Sequence, residues 1–597
     1  MIRRILCFGI PVFSWGCGSC GGDEDAVLMV EEPTVIPPLA VEAFVPSPPV
    51  DFASLRGTGS GSTAPQSVSD EPVWSRIPSS AEAVLVIREL DVLIQRYREY
   101  TSWGAEVEDS VLDERIEALG ELTGFDLIRS VPWSDSVFDV SRPWVLAYHD
   151  RDLPESGEDL SMALMIPLIE GTDSLSGFGI QEPSRGTAAV CSPDVEEPIC
   201  MDDQRNALVF SGEHAVLVFG DETLASSYAS PGASLATKDS FVRLYEQLGT
   251  DWTMASWVSA DLVDAQLEEN LSRRQFQELE ARNQRYGSGE GTGLWGAAAV
   301  VRIAQETADF DFVSGADWMD HYAQFLGGNG VDRLATTLGG SAFAHFRIHQ
   351  DMRGVLEYLS TATEDIEDWE LVRDAIESPL QISLDDDVFG NLDGNISVSM
   401  LGGESDGLLV YLGLRDEEIG RSLLSRVFSQ LGVGLEDLLQ ETEVDGNTWY
   451  TLDVLGYEVG ITIAEEHLVV ASGFGEGGVA SAQIALRESS GSLLGNFDTE
   501  SVELFDGEAP YAGLIDATMA IRMLLSEDGL LESLGLGPRR VRRAQRILAE
   551  CIGDLTLMGG LAEDALLGVG RLNSARSDSG FGPCVDWIVP RPRPTAR

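Results

Sequence analysis

The sequence predicts an α+β fold in which two related units of antiparallel sheet with packed helices follow a disordered tether. Short apolar runs alternate with segments of helical periodicity along the chain. Two Asp-Gly pairs, Asp393-Gly394 and Asp445-Gly446, are typical of two-residue hairpin turns. Several landmarks recur in the same order at an offset of roughly 250 to 260 residues, which indicates a duplicated unit.

Residues 1–20 have the organisation of a signal peptide. A basic pair, Arg3-Arg4, precedes the mostly apolar run 5–13. That run is too short to span a bilayer as a helix, and Pro11 would interrupt one. The small residues and cysteines that follow resemble the motif at which bacterial lipoproteins are cleaved and acylated.

Two cysteines compete as the site of lipid attachment. Cys17 follows a glycine and the bulky Trp15, whereas Cys20 follows the small pair Gly18-Ser19 but lacks the usual upstream leucine. An ordinary secretory signal with incidental cysteines is the alternative. Since no later stretch reaches about 18 apolar residues, we expect attachment to the membrane through the lipid alone.

Residues 21–74 predict a disordered tether. Six prolines between residues 33 and 49 are followed by the Gly/Ser-rich segment 57–62. Proline-rich chain is stiff and Gly/Ser-rich chain is flexible, so this segment would hold a folded body away from a membrane.

The predicted first unit (75–330) and second unit (331–587) contain the same order of strand-like runs. The runs of the first unit lie at 83–87, 144–149, 163–169 and 213–218, and a strand–helix segment closes it at 255–262. The counterparts in the second unit lie at 342–349, 396–401, 408–414, 466–470 and 512–519. Helical patterns follow the first run of each unit, at 90–100 and 352–359. Residues 588–597 predict a flexible tail.

Three segments resemble a family of bacterial envelope proteins known only as a domain of unknown function. They are the opening 77–83, the strand end 412–416 and the strand 466–472. The resemblance spans roughly residues 77 to 560, and its motifs are loose and hydrophobic. It implies the fold and export from the cytoplasm, and it brings no catalytic residues.

The charge balance excludes several functions. The chain has 99 acidic and 39 basic residues, a formal net charge of −60. Nucleic-acid phosphates would be repelled, so we expect no nucleic-acid partner. Lys238 is the sole lysine and has no preceding glycine loop, which excludes a Gly-rich phosphate loop ending in lysine. An acidic, lysine-poor composition is typical of proteins adapted to high salt; a GC-rich genome that favours arginine is the alternative.

Four cysteines beyond the N-terminal cluster predict two disulfides. Cys191 and Cys200 flank a short acidic loop, which leaves Cys551 and Cys584 to pair near the C-terminus. An even number fits an oxidising compartment, and it favours Cys20 as the lipid site because no thiol is then left over. We expect no metal site from these four, since they contain no Cys-x-x-Cys pair.

Three motifs match catalytic or metal patterns but lack the required context. The segment 403–407 matches Gly-x-Ser-x-Gly, yet a strand-like run follows it, so we predict a hairpin turn. The segment 473–478 matches the dinucleotide-binding pattern, yet no parallel βαβ unit surrounds it. His345 and His349 would share a metal only on a helix; here they lie on a predicted strand, about 13 Å apart.

An arginine stripe near the C-terminus is a candidate anion-binding face. At helical spacing its members share one face, which suits lipid phosphates or cell-wall carboxylates. Pairing with acidic residues of the same chain is the alternative. The stripe consists of Arg539, Arg542, Arg543 and Arg546.

These observations predict an exported, lipid-anchored protein of the bacterial outer membrane that binds or scaffolds and is not an enzyme. We expect no cofactor. One alternative is a carrier or chaperone for an apolar ligand, which requires a large apolar cavity. Another is a hydrolase that uses carboxylates, which requires an Asp or Glu pair with perturbed pKa values in a cleft.

Overall fold

The computed structural model describes much of the chain from residue 71 onward. The described residues are 55, 67–68, 71–88, 90, 139, 141–149, 161–168, 190–191, 199–201, 207–211, 213–219, 222–229, 232–248, 251–270, 273–287, 291–304, 306–327, 342–354, 373, 377–378, 380, 382–401, 407–435, 439–444, 446–454, 457–474, 479, 497, 505, 509–517, 552–562 and 565–574.

The fold is mainly β, so the predicted α+β class with packed helices is wrong. The strands are β1 Ala83–Ile87, β2 Trp144–Tyr148, β3 Met162–Pro167, β4 Val190–Cys191, β5 Ile199–Met201, β6 Ala207–Ser211, β7 His214–Phe219, β8 Met254–Ser259, β9 Leu294–Ile303, β10 Thr307–Ala316, β11 Ala342–His349, β12 Leu392–Leu401, β13 Gly407–Leu414, β14 Leu439–Val444, β15 Asn447–Val454, β16 Tyr457–Ala464, β17 His467–Phe474, β18 Tyr511–Asp516, β19 Ile552–Ala562 and β20 Ala565–Ser574.

Helices are fewer than strands in the described part of the chain. The α-helices are α1 Glu222–Ala229, α2 Asp239–Tyr245, α3 Ala260–Asn270, α4 Arg273–Tyr286, α5 Met319–Ala323 and α6 Glu417–Leu435. Short 3-10 turns cover Pro72–Arg76, Leu235–Thr237 and Phe389–Asn391, and a π turn covers Leu384–Val388. Among these described helices, none has both the length and the apolar composition needed to cross a bilayer.

The chain divides into two compact units, named here by position along the sequence. The outer unit comprises 50–270, 293–319 and 537–597, and the inner unit contains 271–292 and 320–536. Both are built from antiparallel strand pairs. The outer unit has the strand order β4-β5-β6-β7-β3-β2-β1-β8-β9-β10-β20-β19.

The inner unit has the strand order β14-β15-β16-β17-β13-β12-β11-β18. Its segment β16-β17-β13-β12-β11-β18 has the same succession as β6-β7-β3-β2-β1-β8 of the outer unit. A duplicated chain requires such a recurrence, and the duplication itself stays a prediction. The strands predicted at 83–87 and 342–349 are confirmed as β1 and β11.

The two Asp-Gly pairs have different roles in the structure. Gly446 has a positive φ of 83° and joins β14 to β15 between the opposed residues Val444 and Asn447, as a two-residue hairpin turn requires. Gly394 also has a positive φ, 97°, but it lies inside β12 where the pairing with β13 shifts register. The hairpin predicted at Asp393-Gly394 is therefore wrong, because an irregular strand also uses a left-handed glycine.

Two long hairpins of the outer unit, β9-β10 and β19-β20, are not predicted from the sequence because their residues have weak β propensity. They are rich in Gly and Ala and carry inward charges. Asp311 is fully buried and accepts a 2.7 Å hydrogen bond from Arg302 Nη2. Cross-strand contacts of this kind stabilise the pair where propensity does not.

Aromatic rings on β10 cover glycines on β20. Phe310 lies opposite Gly570, and Phe312 lies opposite Gly568. A Cβ atom placed on either glycine would overlap the facing ring. The missing side chains therefore provide the space in which the rings pack, and the rings compensate for the weak sheet propensity of glycine.

The main aromatic cluster of the outer unit surrounds Trp74. The rings of Phe241 and Tyr245 both lie 4.9 Å from the Trp74 ring, centroid to centroid, and Trp257 lies 5.7 Å from Phe241. All four side chains are at most 1% exposed. The 3-10 turn before β1 and helix α2 are thus fixed on the sheet by aromatic packing, which buries large apolar areas.

We predict that Gly568→Ala lowers the free energy of unfolding by about 1–3 kcal/mol, because the added methyl group displaces the Phe312 ring. Urea denaturation measures the change. Gly232→Ala is the control: a methyl group at Gly232 would meet no heavy atom within 4 Å, so its effect should stay within about 0.5 kcal/mol. If both substitutions lowered the free energy of unfolding by the same amount, the packing of the Phe312 ring would not depend on the missing side chain at Gly568.

Candidate functional site

A set of polar residues lies on one face of the inner unit and is called here the polar row. The register sets His345 opposite Ser399, Arg347 opposite Ser397 and His349 opposite Asn395. Alternate residues of a strand share a face. The polar row consists of His345, Arg347 and His349 on β11, Asn395, Ser397 and Ser399 on β12, Tyr411 on β13 and His467 on β17.

On β1 and β2, the corresponding face of the outer unit is apolar. Strand β1 has the same neighbours in the strand order as β11, and its buried residues are Val84 and Val86. The residues opposite them on β2 are Ala147 and Val145, which are also fully buried. The polar residues on β11 and β12 are therefore a feature of the inner unit and not a requirement of the strand order, whereas His467 on β17 has a buried histidine, His214, on the corresponding strand β7.

Three buried groups of the polar row form a hydrogen-bonded triangle. Nδ1 of His345 lies 2.9 Å from Ser399 Oγ and 3.3 Å from the hydroxyl of Tyr411, and the two hydroxyls are 3.5 Å apart. His345 and Ser399 are 0% exposed and Tyr411 is 1% exposed. Mutual hydrogen bonding offsets the cost of burying these polar atoms.

Arg347 contacts Phe505 at the centre of the row. Its Nη2 donates a 2.8 Å hydrogen bond to the main-chain oxygen of Phe505, and its guanidinium lies 4.9 Å from the centroid of the Phe505 ring. Both contacts hold the guanidinium in a defined place through neutral groups. The contact with the ring is a cation–π interaction, which stabilises the guanidinium at this position.

A cleft opens beside the row. Its empty space of about 320 Å³ includes open solvent, and the enclosed part has room for about one water molecule. Its polar lining comes from the row, and its apolar lining from two strand residues and the segment before β18. The lining residues are Arg347, Ile348, His349, Asn395, Ile396, Ser397, Tyr411, His467, Ala509 and Pro510.

Two histidines, His349 and His467, line the cleft. Nδ1 of His467 lies 2.6 Å from the oxygen of Glu465, and because a carbonyl only accepts, Nδ1 donates this hydrogen bond. Burial lowers the pKa of His349, and Arg347 lowers it further, while Asp393 acts in the opposite direction. A neutral His349 therefore dominates near pH 7.

The outer unit has a second histidine cluster. His149 Nε2 lies 2.9 Å from the hydroxyl of Tyr228, and its Nδ1 lies 3.1 Å from Ser80 Oγ. Burial lowers the pKa of His149 to about 4, and Lys238 lowers it as well, against a main-chain hydrogen bond with Ser80. The ring is neutral at pH 7 and connects the loop before β1 to helix α1.

Lys238, the sole lysine of the chain, lies near that cluster. Its Nζ donates a 3.2 Å hydrogen bond to the oxygen of Ala81 and lies 4.8 Å from the Trp257 ring centroid. Burial lowers the pKa of Lys238, while Glu82 and an aspartate of α3 raise it. Ser259 donates to the buried Glu82 carboxylate and accepts from Leu262 N, so it also caps α3. These contacts fix the position of the residues that directly precede β1.

The structure places only some of the residues predicted from sequence. Cys191 and Cys200 are directly opposed on β4 and β5. Opposed Cα atoms in an antiparallel pair lie about 4.5–5.5 Å apart, which is within the range that a disulfide spans. The bond itself stays a prediction. The predicted lipid site, the second cysteine pair and the arginine stripe lie outside the described residues, namely Cys17, Cys20, Cys551, Cys584, Arg539, Arg542, Arg543 and Arg546.

The three motifs that match catalytic or metal patterns have the contexts that the sequence predicted. The segment 403–407 joins the antiparallel pair β12-β13, so a strand and not a helix follows its serine. Strand β17, which ends at Phe474 within the segment 473–478, pairs antiparallel with both β13 and β16. His345 and His349 lie on a strand. Among the described residues, no group of three or more His, Cys, Asp or Glu has metal-binding geometry.

Sequence reasoning missed Arg347, Ser397 and Tyr411 as site residues. The signal was the alternation of polar residues on two successive strands, His345-x-Arg347-x-His349 and Asn395-x-Ser397-x-Ser399. Period-two polarity usually indicates a solvated face. Only the pairing partners and the burial of the strands reveal that this polar face is covered.

Comparison with known proteins assigns this chain to no family. No protein-family model and no curated protein matches the chain. Three solved structures match, all of TP0453 at 11% identity: crystal form IV (TM-score 0.23; 42% of this chain, 81% of that one), form III (0.23; 46% and 83%) and form I (0.21; 43% and 98%). TM-scores of this size do not establish a common fold, so TP0453 has no bearing on this chain.

We predict that stability falls as the pH decreases from about 6.5 to about 4. Burial lowers the pKa values of His149 and His214 to about 4, so the unfolded chain binds protons before the folded one. Each histidine contributes a slope of at most about 1.4 kcal/mol per pH unit in that window. Urea denaturation at several pH values gives the slope.

The variant that tests this is His149→Gln, which should reduce the slope relative to the parent chain. His321→Gln is the matched control, because His321 is exposed and lies in the inner unit. An unchanged slope in His149→Gln would contradict the assignment. The comparison between variants cancels the contribution of the many carboxylates.

Proposed function

We propose that this chain is an exported protein of the bacterial cell envelope, anchored in the outer membrane by a lipid on Cys20 or Cys17, whose mainly β body acts by binding or scaffolding. The observation that carries the proposal is the N-terminal succession of basic pair, short apolar run and cysteines after small residues. The proline-rich and then Gly/Ser-rich segment that follows gives the anchor a spacer.

The geometry of the polar row supports binding over catalysis. Ser399 and His345 form the contact that a nucleophile and its base would need, yet both are 0% exposed. A catalytic nucleophile has to reach its substrate. The hydrogen-bonded triangle is therefore best explained as a support for the neighbouring cleft.

Neither alternative function is favoured by a specific observation among the described residues. A carrier of apolar ligands needs a large apolar cavity, whereas the cleft of the inner unit is lined by Arg347 and histidines. A carboxylate hydrolase needs a perturbed pair of acids. Glu417, whose pKa is lowered, accepts hydrogen bonds from Arg421 and the Glu466 amide, which fix the start of α6.

We predict that Cys20→Ser abolishes lipid attachment and releases the protein from the membrane fraction. Mass spectrometry of the mature N-terminus detects the acyl groups, and fractionation of the expressing cells locates the protein. Cys17→Ser is the matched control and should leave the lipid in place. Loss of the lipid only in Cys17→Ser would move the site to Cys17, and a mature chain without acyl groups would refute the anchor.

A further inference from the structure

We infer that a row of apolar residues on the outer unit is a docking site for a cationic, amphipathic helix of a partner protein. The inference rests on the proposed role in binding or scaffolding and names the kind of partner. The register sets the members of the row directly opposite one another on five neighbouring strands. This apolar row consists of Trp144 on β2, Ile87 on β1, Met254 on β8, Val301 on β9 and Phe310 on β10.

The apolar row lies on the partly exposed face of the sheet. Each of its members is partly exposed, and Leu85, on the same face of β1, is 36% exposed. The alternate residues Val86 and Val300 are fully buried on the other face. That buried face carries the aromatic cluster in which Phe241 of α2 contacts Trp257. The outer unit therefore covers one side of these strands and leaves apolar side chains at the surface on the other, as protein-binding surfaces do.

The border of the row is acidic. Asp251 lies just before β8 and Glu306 lies in the turn between β9 and β10, and both are exposed. Arg88 and Arg142, at the same end of the strands, each form an ion pair with a glutamate. No member of the row itself is charged. A partner that brings positive charge to this border is therefore attracted, since the whole chain has a net charge of −60.

The same charges decide against two other occupants of the row. A second copy of the chain would bring a further net charge of −60, which opposes close association of the two. A surface of anionic lipids would be repelled for the same reason. A helix with one apolar and one cationic side fits both features, because its apolar side covers the row while its cationic side faces the acidic border.

The inner unit shows that such a sheet face accepts the apolar side of a helix. Leu424 of α6 packs against the same apolar cluster as Leu412 and Leu468. These two strand residues directly follow members of the polar row, so they lie on the opposite face. Phe428, four residues after Leu424, stacks on Tyr450 with the ring centroids 4.5 Å apart. The apolar row of the outer unit extends about 19 Å over its five strands, which is the length of a helix of about 13 residues.

Titration with a synthetic helix tests the inference. The probe is a peptide of about 14 leucines and lysines in which leucine recurs at helical spacing. The protein is the full chain with Cys17→Ser and Cys20→Ser, so that neither an acyl group nor detergent competes for the row. We expect saturable binding, a gain of peptide helicity in circular dichroism, and a blue shift of the tryptophan emission that is lost in Trp144→Phe.

Leu85→Gln should weaken binding by at least about tenfold, because it removes an apolar contact without changing the charge. Met400→Gln is the matched control: Met400 is 40% exposed on β12 of the inner unit, and this variant should bind like the parent chain. Trp144→Phe keeps an apolar ring, so it should lose the blue shift and nearly keep the affinity. This second variant keeps the test decisive if Leu85→Gln fails to fold.

Four outcomes would overturn the inference. Equal binding of a peptide with the same residues in scrambled order would show that charge alone attracts the probe, and equal losses in Leu85→Gln and Met400→Gln would show that the row is not its site. Tighter binding of a zwitterionic lysolipid than of the peptide would assign the row to lipid chains. A dimer in light scattering that Leu85→Gln separates would assign it to a second copy.

The docking site and the lipid anchor are tested separately. Because the titrated chain carries no acyl group, a failure to bind the peptide leaves the proposed anchor untouched. A parent chain that mass spectrometry finds without acyl groups refutes the anchor and leaves the docking site untouched.

Discussion

The register of β11 against β12 is the constraint on which the inner unit depends. It aligns His345, Arg347 and His349 with the polar residues of β12. Because successive side chains of a strand point to opposite faces, a slip of one residue would move the whole row to the other face. The backbone hydrogen bonds of the ladder therefore decide both the packing of the unit and the composition of its cleft.

Antiparallel strand pairing brings apolar residues together in the outer unit and polar residues together in the inner unit. On β1 and β2 it brings valines and alanines together, and the surrounding core closes over them with Trp257 and its aromatic neighbours. On β11 and β12 it brings together polar groups that need hydrogen-bond partners. His345 and Ser399 form such a hydrogen bond at 2.9 Å. A covered polar face costs stability, and proteins retain such a face chiefly where a site uses it.

Part of the fold was predictable because some strands have strong local signals. The runs that became β1 and β11 are rich in β-branched or aromatic residues. The hairpins β9-β10 and β19-β20 have no such signal, since Phe312 packs over Gly568, which belongs to a distant part of the chain. The α+β prediction failed because it gave these glycine-rich segments no structure and gave the helical patterns too much weight.

The sequence by itself predicts an export signal, a lipid site among the cysteines and no nucleic-acid partner, and it correctly predicted the strand on which His345 and His349 lie. These follow from composition, charge and local periodicity. Only the tertiary structure decided that Arg347, Ser397 and Tyr411 form one line beside a cleft. Which residues oppose each other across strands depends on long-range pairing, and no local pattern in a single chain encodes that pairing.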